Sequence, residues 1–237
     1  MNKQSNSYTV IYIIVMVVIV GAALALTSLA LKPKQQENID ADKMRQILAA
    51  ALISPEKGAN VVETYNKFIT SSFVVNSEGE KVEGADAFTV NVADQSKLSA
   101  DKRELPVFEA RTADGAVKYI LPVYGAGLWG PIWGYVAFDS NGSTIYGAYF
   151  AHQGETPGLG AEIEKPAFSD QFKGKNVFKD GRFKPVAVVK AGQKPIDGED
   201  YVDGISGGTI TSKGVGAMLD NCLSPYKNFL KSLGNEN

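Results

Sequence analysis

The run YTVIYIIVMVVIVGAALALTSLAL, Tyr8 to Leu31, contains no charged residue. As an α-helix rising about 1.5 Å per residue it is about 36 Å long, enough to cross a bilayer's hydrocarbon core with some tilt. A cleaved signal peptide has a shorter apolar region of about 7–15 residues before a small-residue cleavage site. "ALTSLA" offers such a site, but the length of the run favours a retained single-pass anchor in the lipid bilayer, preceded by a short tail at residues 1–7. Lys3 lies before the span, whereas Lys32, Lys34, Lys43 and Arg45 follow it. Loop charge by itself therefore puts the C-terminal part on the cytoplasmic side.

Residues 32–54 read as a polar juxtamembrane linker, KPKQQENIDADK, leading into an amphipathic helix. Met44, Ile47, Leu48, Ala51 and Leu52 recur at helical spacing, and Ser54-Pro55 stops the pattern. Val61, Val62, Tyr65, Phe68 and Ile69 predict a second helix. Strand-like text follows. SFVVNSEGEKVEG, VFEARTADGAVKYILPVYG, WGYVAFDSNGSTIYGAYFA and VFKDGRFKPVAVVK each hold two apolar runs around Glu-Gly, Asp-Gly or Asn-Gly. A helical stretch near 161–172 separates the last two. Val215, Met218, Leu219, Cys222, Leu223, Tyr226, Phe229, Leu230 and Leu233 then form one helical stripe that Pro225 should kink or divide. The expected fold class for residues 55–237 is α+β, an antiparallel sheet with packed helices.

Several function classes fall away. Of 237 residues, 24 are basic and 26 acidic, and the two kinds are interspersed, so no nucleic-acid surface is expected. The single cysteine excludes an internal disulfide and cysteine-based zinc or iron–sulfur sites within one chain. The single histidine, His152, has no G-x-S-x-G nucleophile to serve and no second histidine at zinc-site spacing, and reads as a loop hydrogen-bonder. Asp197, Glu199, Asp200 and Asp203 read as a solvated acidic loop. Neither catalytic nor metal-ligating residues are expected.

Three glycine-rich segments remain. GAGLWG, Gly125 to Gly130, matches G-x-G-x-x-G, but Pro131, Ile132 and Trp133 continue as a strand where a dinucleotide fold needs a helix. GLWGPIWGY is then either a hairpin corner with aromatics in the core or a wall for a flat aromatic ligand. In GETPGLG, Gly158 and Gly160 permit close backbone approach to a ligand, or simply build an elaborate connection. DGISGGTITSKGVGAM puts Ser206, Thr209, Thr211 and Ser212 among glycines at the mouth of the last helix. Helix capping by Ser206 or Thr209 is one reading. An anion or phosphate at the helix start is another, although the P-loop pattern is absent because Lys213 precedes Gly214.

DGISGGT resembles the flavinylation motif Asp-Gly-x-Ser/Thr-Gly-Ala-Thr/Ser of FMN-binding domains in ion-pumping respiratory complexes. Asp203, Gly204, Ser206 and Gly207 match, Gly208 stands where alanine is usual, and Thr209 takes the acceptor position. The resemblance spans nearly the whole chain. The anchor, QQENIDADKMRQIL, GLWGPIWGY, HQGETPGLGAEI and the terminal helix are similar to the C subunits of sodium-translocating NADH:quinone oxidoreductases. The G subunits of Rnf-type ion-pumping ferredoxin:NAD oxidoreductases share the domain and are the alternative. A flavin-free, membrane-tethered scaffold is the reading from a different class.

The resemblance implies FMN joined to Thr209 as a phosphoester by a flavin transferase. It also implies partner subunits of the complex and electron relay without an NADH site. The location implied is the bacterial inner membrane, with the domain on the periplasmic face, against the lysine count. Leu128, Trp129, Glu155, Thr156 and Leu159 are the implied ring-lining residues, beside Asp203, Ser206, Gly207 and Gly208 around the attachment point.

Overall fold

The structure is a computed structural model that describes residues 6–56, 58–195 and 198–235. It divides into two units, residues 1–43 and 44–237. Helix α1, Asn6–Ala50, is continuous. Its apolar side chains from Val10 to Leu31 are exposed, and it is long and apolar enough to cross a membrane. The polar stretch that reads as a linker is helical throughout, with Pro33 inside the helix. Glutamine, glutamate and lysine side chains keep helix propensity high there. The helix ends earlier than Ser54-Pro55 suggests. Leu52 turns left-handed (φ 58), its N–H donates to Ala49 O (3.0 Å), and Ile53 N–H donates to Leu48 O (2.9 Å). That is a Schellman cap with leucine where glycine is usual.

In the second unit, α2, Val61–Phe68, starts on Asn60, whose side chain accepts the N–H of Val62 (2.9 Å). Strand β1, Ile69–Val75, follows directly, and short β2, Lys81–Val82, folds back on it. A four-residue helix, α3, Val92–Gln95, and a 3-10 turn lead to β3, Leu105–Arg111. Next come β4, Val117–Ala126, β5, Pro131–Asp139, and β6, Ile145–His152. They form one antiparallel sheet in the order β2-β1-β3-β4-β5-β6; of its four hairpins, β1–β2, β3–β4 and β5–β6 close at the Glu-Gly, Asp-Gly and Asn-Gly turns the sequence predicts, and β4–β5 closes through the GAGLWG segment.

The central strands are buried on both faces, which explains their near-continuous apolar text. Val107, Leu121, Val123, Val136 and Phe138 belong to the main core. Phe108, Ile120, Tyr135 and Ala137 alternate onto the opposite face and are also buried. The end of α1 serves that second face: Gln46 accepts the indole N–H of Trp133 (3.0 Å), and Ile47 and Leu48 are fully buried.

Residues 160–172 are helical as expected, but as two 3-10 turns around a four-residue α4, Pro166–Ser169. Strands β7, Phe178–Lys179, and β8, Arg182–Phe183, form a small hairpin. Strand β9, Ala187–Val189, then pairs in parallel with β10, Tyr201–Asp203, an arrangement the hairpin pattern did not announce. Helix α5, Thr209–Leu223, lies on β4, and Pro225 divides it from α6, Lys227–Asn235, through a 3-10 turn. Every residue of the predicted stripe from Val215 to Leu233 is buried.

Candidate functional site

The parallel pairing of β9 and β10 sets Val189 opposite Asp203 and delivers the chain to the start of α5. Gly204 N–H donates to Val189 O (2.7 Å), and Ile205 N–H donates to Ser212 Oγ (2.8 Å). A Cβ on Gly204 would sit 3.0 Å from Ser212 Cβ, and one on Gly207, which has φ 74, would sit 2.6 Å from Leu159 Cδ2. These glycines are there for close packing and for a left-handed turn. The N-cap of α5 is Gly208, and no side chain caps the helix. Neither Ser206 nor Thr209 does so, because the turn places Thr209 inside the first helical turn rather than before it. The four hydroxyls therefore separate. Thr211 and Ser212 are buried and hydrogen-bonded, whereas Ser206 and Thr209 are exposed.

Glu155 ties the three glycine-rich segments together. It is only 4% exposed, Oε1 accepts the N–H of Trp129 (2.8 Å), and Oε2 accepts the Thr211 hydroxyl (2.5 Å). Its own N–H donates to His152 Nδ1 (3.1 Å). Burial pushes the Glu155 carboxyl up, but the Thr211 hydroxyl and the N–H groups of Trp129 and Leu128 outweigh it, so the pKa lies below the ordinary glutamate value. A Cβ on Gly127 would clash with Oε1, and one on Gly160 with Oε2 and Thr211 Oγ1. Glycine at both positions is a steric requirement of this brace.

Around Thr209 the surface is unusually apolar. Trp129 is 69% exposed, Ile210 57%, Leu128 48% and Leu159 42%. Leu128 and Trp129 form the tip of the β4–β5 hairpin, whose turn closes with Gly127 N–H donating to Gly130 O (2.8 Å). Trp129 is thus not a core residue, although the segment does form a hairpin corner and its second tryptophan, Trp133, is half-buried. Thr156 is exposed, and its carbonyl accepts the N–H groups of Leu159 (3.1 Å) and Ala161 (3.2 Å) to shape the loop. Asp203 is exposed, with its N–H donating to Gln171 Oε1 (2.8 Å).

A cleft of about 320 Å³ opens beside Thr209. Its walls are Val188–Ala191 and Gln193 on one side and Gly204–Gly207, Thr209, Ser212 and Lys213 on the other. Lys190, Gln193 and Ile205 did not stand out in the sequence. Lys213, four residues beyond Thr209 and so on its helix face, was detectable by spacing. Lys190 arrives only through the β9–β10 pairing.

The remaining polar candidates are structural. His152, the last residue of β6 rather than a loop residue, accepts at Nδ1 and sits 3.7 Å from Glu164 through Nε2. Asp200 accepts the N–H of Asn176 (2.7 Å) and pairs with Lys179 (3.0 Å). Asp197 lies outside the described residues. Among the described residues no group of three potential metal ligands occurs.

The profile of the FMN-binding domain family matches residues 127–224, from the hairpin tip to the end of α5. The C subunit of the Na(+)-translocating NADH-quinone reductase of Vibrio vulnificus is 34% identical over 224 residues, covering 86% of this chain and 87% of that protein. The C subunit of the Haemophilus ducreyi reductase is 34% identical over 229 residues, covering 90% and 88%. A crystal structure of the C subunit from Parabacteroides distasonis superposes with a TM-score of 0.77 at 53% identity, covering 84% of this chain and 96% of that one. Sequence and fold agree, and the chain belongs to the family of C subunits of Na(+)-translocating NADH-quinone reductases.

Proposed function

We propose that this protein carries FMN as a phosphoester on Thr209. In this reading it relays electrons within a membrane complex that oxidises NADH, reduces quinone and pumps sodium. The observation that carries the reading is the sorting of hydroxyls at the start of α5. Thr209 is exposed at an uncapped helix N-terminus, while Thr211 and Ser212 are engaged elsewhere. Free N–H groups and the positive end of the helix dipole favour a phosphate there. The residues fit the rest of the group as well: Leu128, Trp129, Leu159 and Ile210 offer apolar surface to a flat ring, and Ser206 and Asp203 flank the attachment point.

When bound, FMN supplies one- and two-electron redox chemistry, which needs no general acid or nucleophile from the protein. This chain's residues hold and orient the group, and they set its potential through burial and nearby backbone dipoles. Glu155 contributes by fixing the Trp129 backbone and the first turn of α5 to one another. Helix α1 anchors the chain in the bacterial inner membrane, with the flavin domain on the periplasmic face. Folded domains translocate largely regardless of charge, so the lysines after the span do not oppose this orientation. A flavin transferase supplies the FMN, and the other subunits of the complex are the electron-transfer partners.

The test is intact-protein mass spectrometry after co-expression with a flavin transferase. Wild type and Thr211→Ala should each gain one FMN less one water, and Thr209→Ala should gain nothing. A full adduct on Thr209→Ala places the linkage elsewhere and ends this reading.

A further inference from the structure

The cleft beside Thr209 has no role in the electron-relay reading, yet its lining is chemically one-sided. Among the described residues it presents two lysines, Lys190 and Lys213, and no carboxylate. Val188 and Ile205 make an apolar wall, and Ser206 and Gln193 add a hydroxyl and an amide. At about 320 Å³ it sits at the lower end of small-molecule sites, far larger than a phosphate alone requires. Neither lysine forms an ion pair among the described residues.

The backbone explains why both cations face one place. Lys213 shares the helix face of Thr209 one turn on. Lys190 follows Val189, whose carbonyl accepts the N–H of Gly204, so β9 brings it to the same turn. A reverse turn, with Gln193 N–H donating to Lys190 O (2.9 Å), brings Gln193 back to the cleft wall. Two lysines beside an apolar wall and a few uncharged polar groups suit a ligand with one anionic end and an uncharged body.

We propose that this cleft receives the ribityl phosphate arm of the flavin, with Lys213 and Lys190 holding the phosphate. The polyol hydroxyls then meet Gln193 and Ser206. The inference rests on attachment at Thr209. During attachment, the threonine oxygen bonds to the flavin-side phosphorus of a flavin dinucleotide donor. The pyrophosphate P–O bond breaks, AMP leaves and the hydroxyl proton passes to solvent, with no change of oxidation state. The two lysines offset negative charge on the phosphate before and after that step. They are positioning residues.

The test uses the full-length protein in detergent, FAD and a purified flavin transferase, with loading followed by intact mass. Lys190→Glu/Lys213→Glu should load at least tenfold more slowly than wild type, Lys213→Arg within about twofold of it, and Lys231→Glu on α6 at the wild-type rate. The second readout is the phosphorus NMR resonance of fully loaded protein, which Lys213→Ala should move and Lys231→Ala should not. A moved resonance supports the proposal at any loading rate. An unmoved resonance overturns it: with slow loading, the lysines contact the transferase, and with normal loading they contact nothing that matters. Wild type that gains no flavin, or gains it in the Thr209→Ala background, sinks the attachment reading instead and this inference with it.

Discussion

The carboxylate of Glu155 joins the backbone N–H of Trp129 to the side-chain hydroxyl of Thr211, at 2.8 and 2.5 Å. One buried anion thereby fixes the tip of the β4–β5 hairpin against the first turn of α5. Replacing it with alanine leaves two donors, one of them the hydroxyl of buried Thr211, without their acceptor. Glu155→Ala should cost about 2–4 kcal/mol, since unsatisfied buried partners of a charged group are expensive. Glu155→Gln keeps the shape and one acceptor and should cost less. Urea denaturation of the three proteins at neutral pH gives the ranking, and equal midpoints would show that the brace carries no stability.

The same group predicts a pH dependence. The folded pKa of Glu155 lies below its unfolded value of about 4.3. Its stabilisation is therefore complete above the unfolded value and is lost as pH falls through the lower, folded one. The stability gap between wild type and Glu155→Gln should be constant from about pH 7 to 5 and shrink below about pH 4. A gap that widens on acidification would mean that the native carboxyl is protonated.

Trp129 separates backbone from side chain. Its N–H is held by Glu155, but its indole is 69% exposed. Trp129→Ala keeps the backbone bond and loses little buried area, so the melting temperature should change by no more than an exposed substitution allows, about 0.5 kcal/mol in stability. The flavin absorption of loaded protein should shift, because stacking on an aromatic face is worth about 1–3 kcal/mol by analogy with bases. Unchanged flavin spectra would leave the indole without a part in the site.

Gly160→Ala tests the steric side of the brace. The added methyl would run into both Glu155 Oε2 and Thr211 Oγ1. Overpacking of this kind costs about 1–3 kcal/mol. Gly174→Ala, where a Cβ meets nothing but the residue has φ 74, is the comparison that isolates backbone strain from collision. Thermal melts of the two variants should differ in favour of Gly174→Ala.

For the anchor, the full chain should partition with membranes and need detergent, whereas a chain beginning at Lys32 should remain in the supernatant. The apolar side chains from Val10 to Leu31 are exposed in the protein itself, so removing them takes away surface that only a bilayer or another protein can cover. Recovery of the full chain in the soluble fraction without detergent counts against membrane anchorage.

Local patterning was sufficient for much of this. Apolar runs on either side of Glu-Gly, Asp-Gly and Asn-Gly turns determined three of the four hairpins of the main sheet, because strand pairing across a tight turn is a short-range matter. The stripe from Val215 to Leu233 determined a helix with a buried face, and Pro225 its division. DGISGGT singled out Thr209 by resemblance. Tertiary structure decided what depends on distant segments meeting. Helical pattern at both ends of the polar stretch after Leu31 did not reveal that α1 runs through it unbroken. The parallel β9–β10 pair, which carries Lys190 to the motif, is not a hairpin, since parallel neighbours cannot be joined by a tight turn, so turn signals did not reveal it. Exposure of Trp129 and burial of Thr211 are likewise invisible in composition, since a tryptophan or a threonine suits either environment. Only the position of Glu155 in three dimensions, accepting from the hydroxyl of one and from the backbone of the other, assigns them.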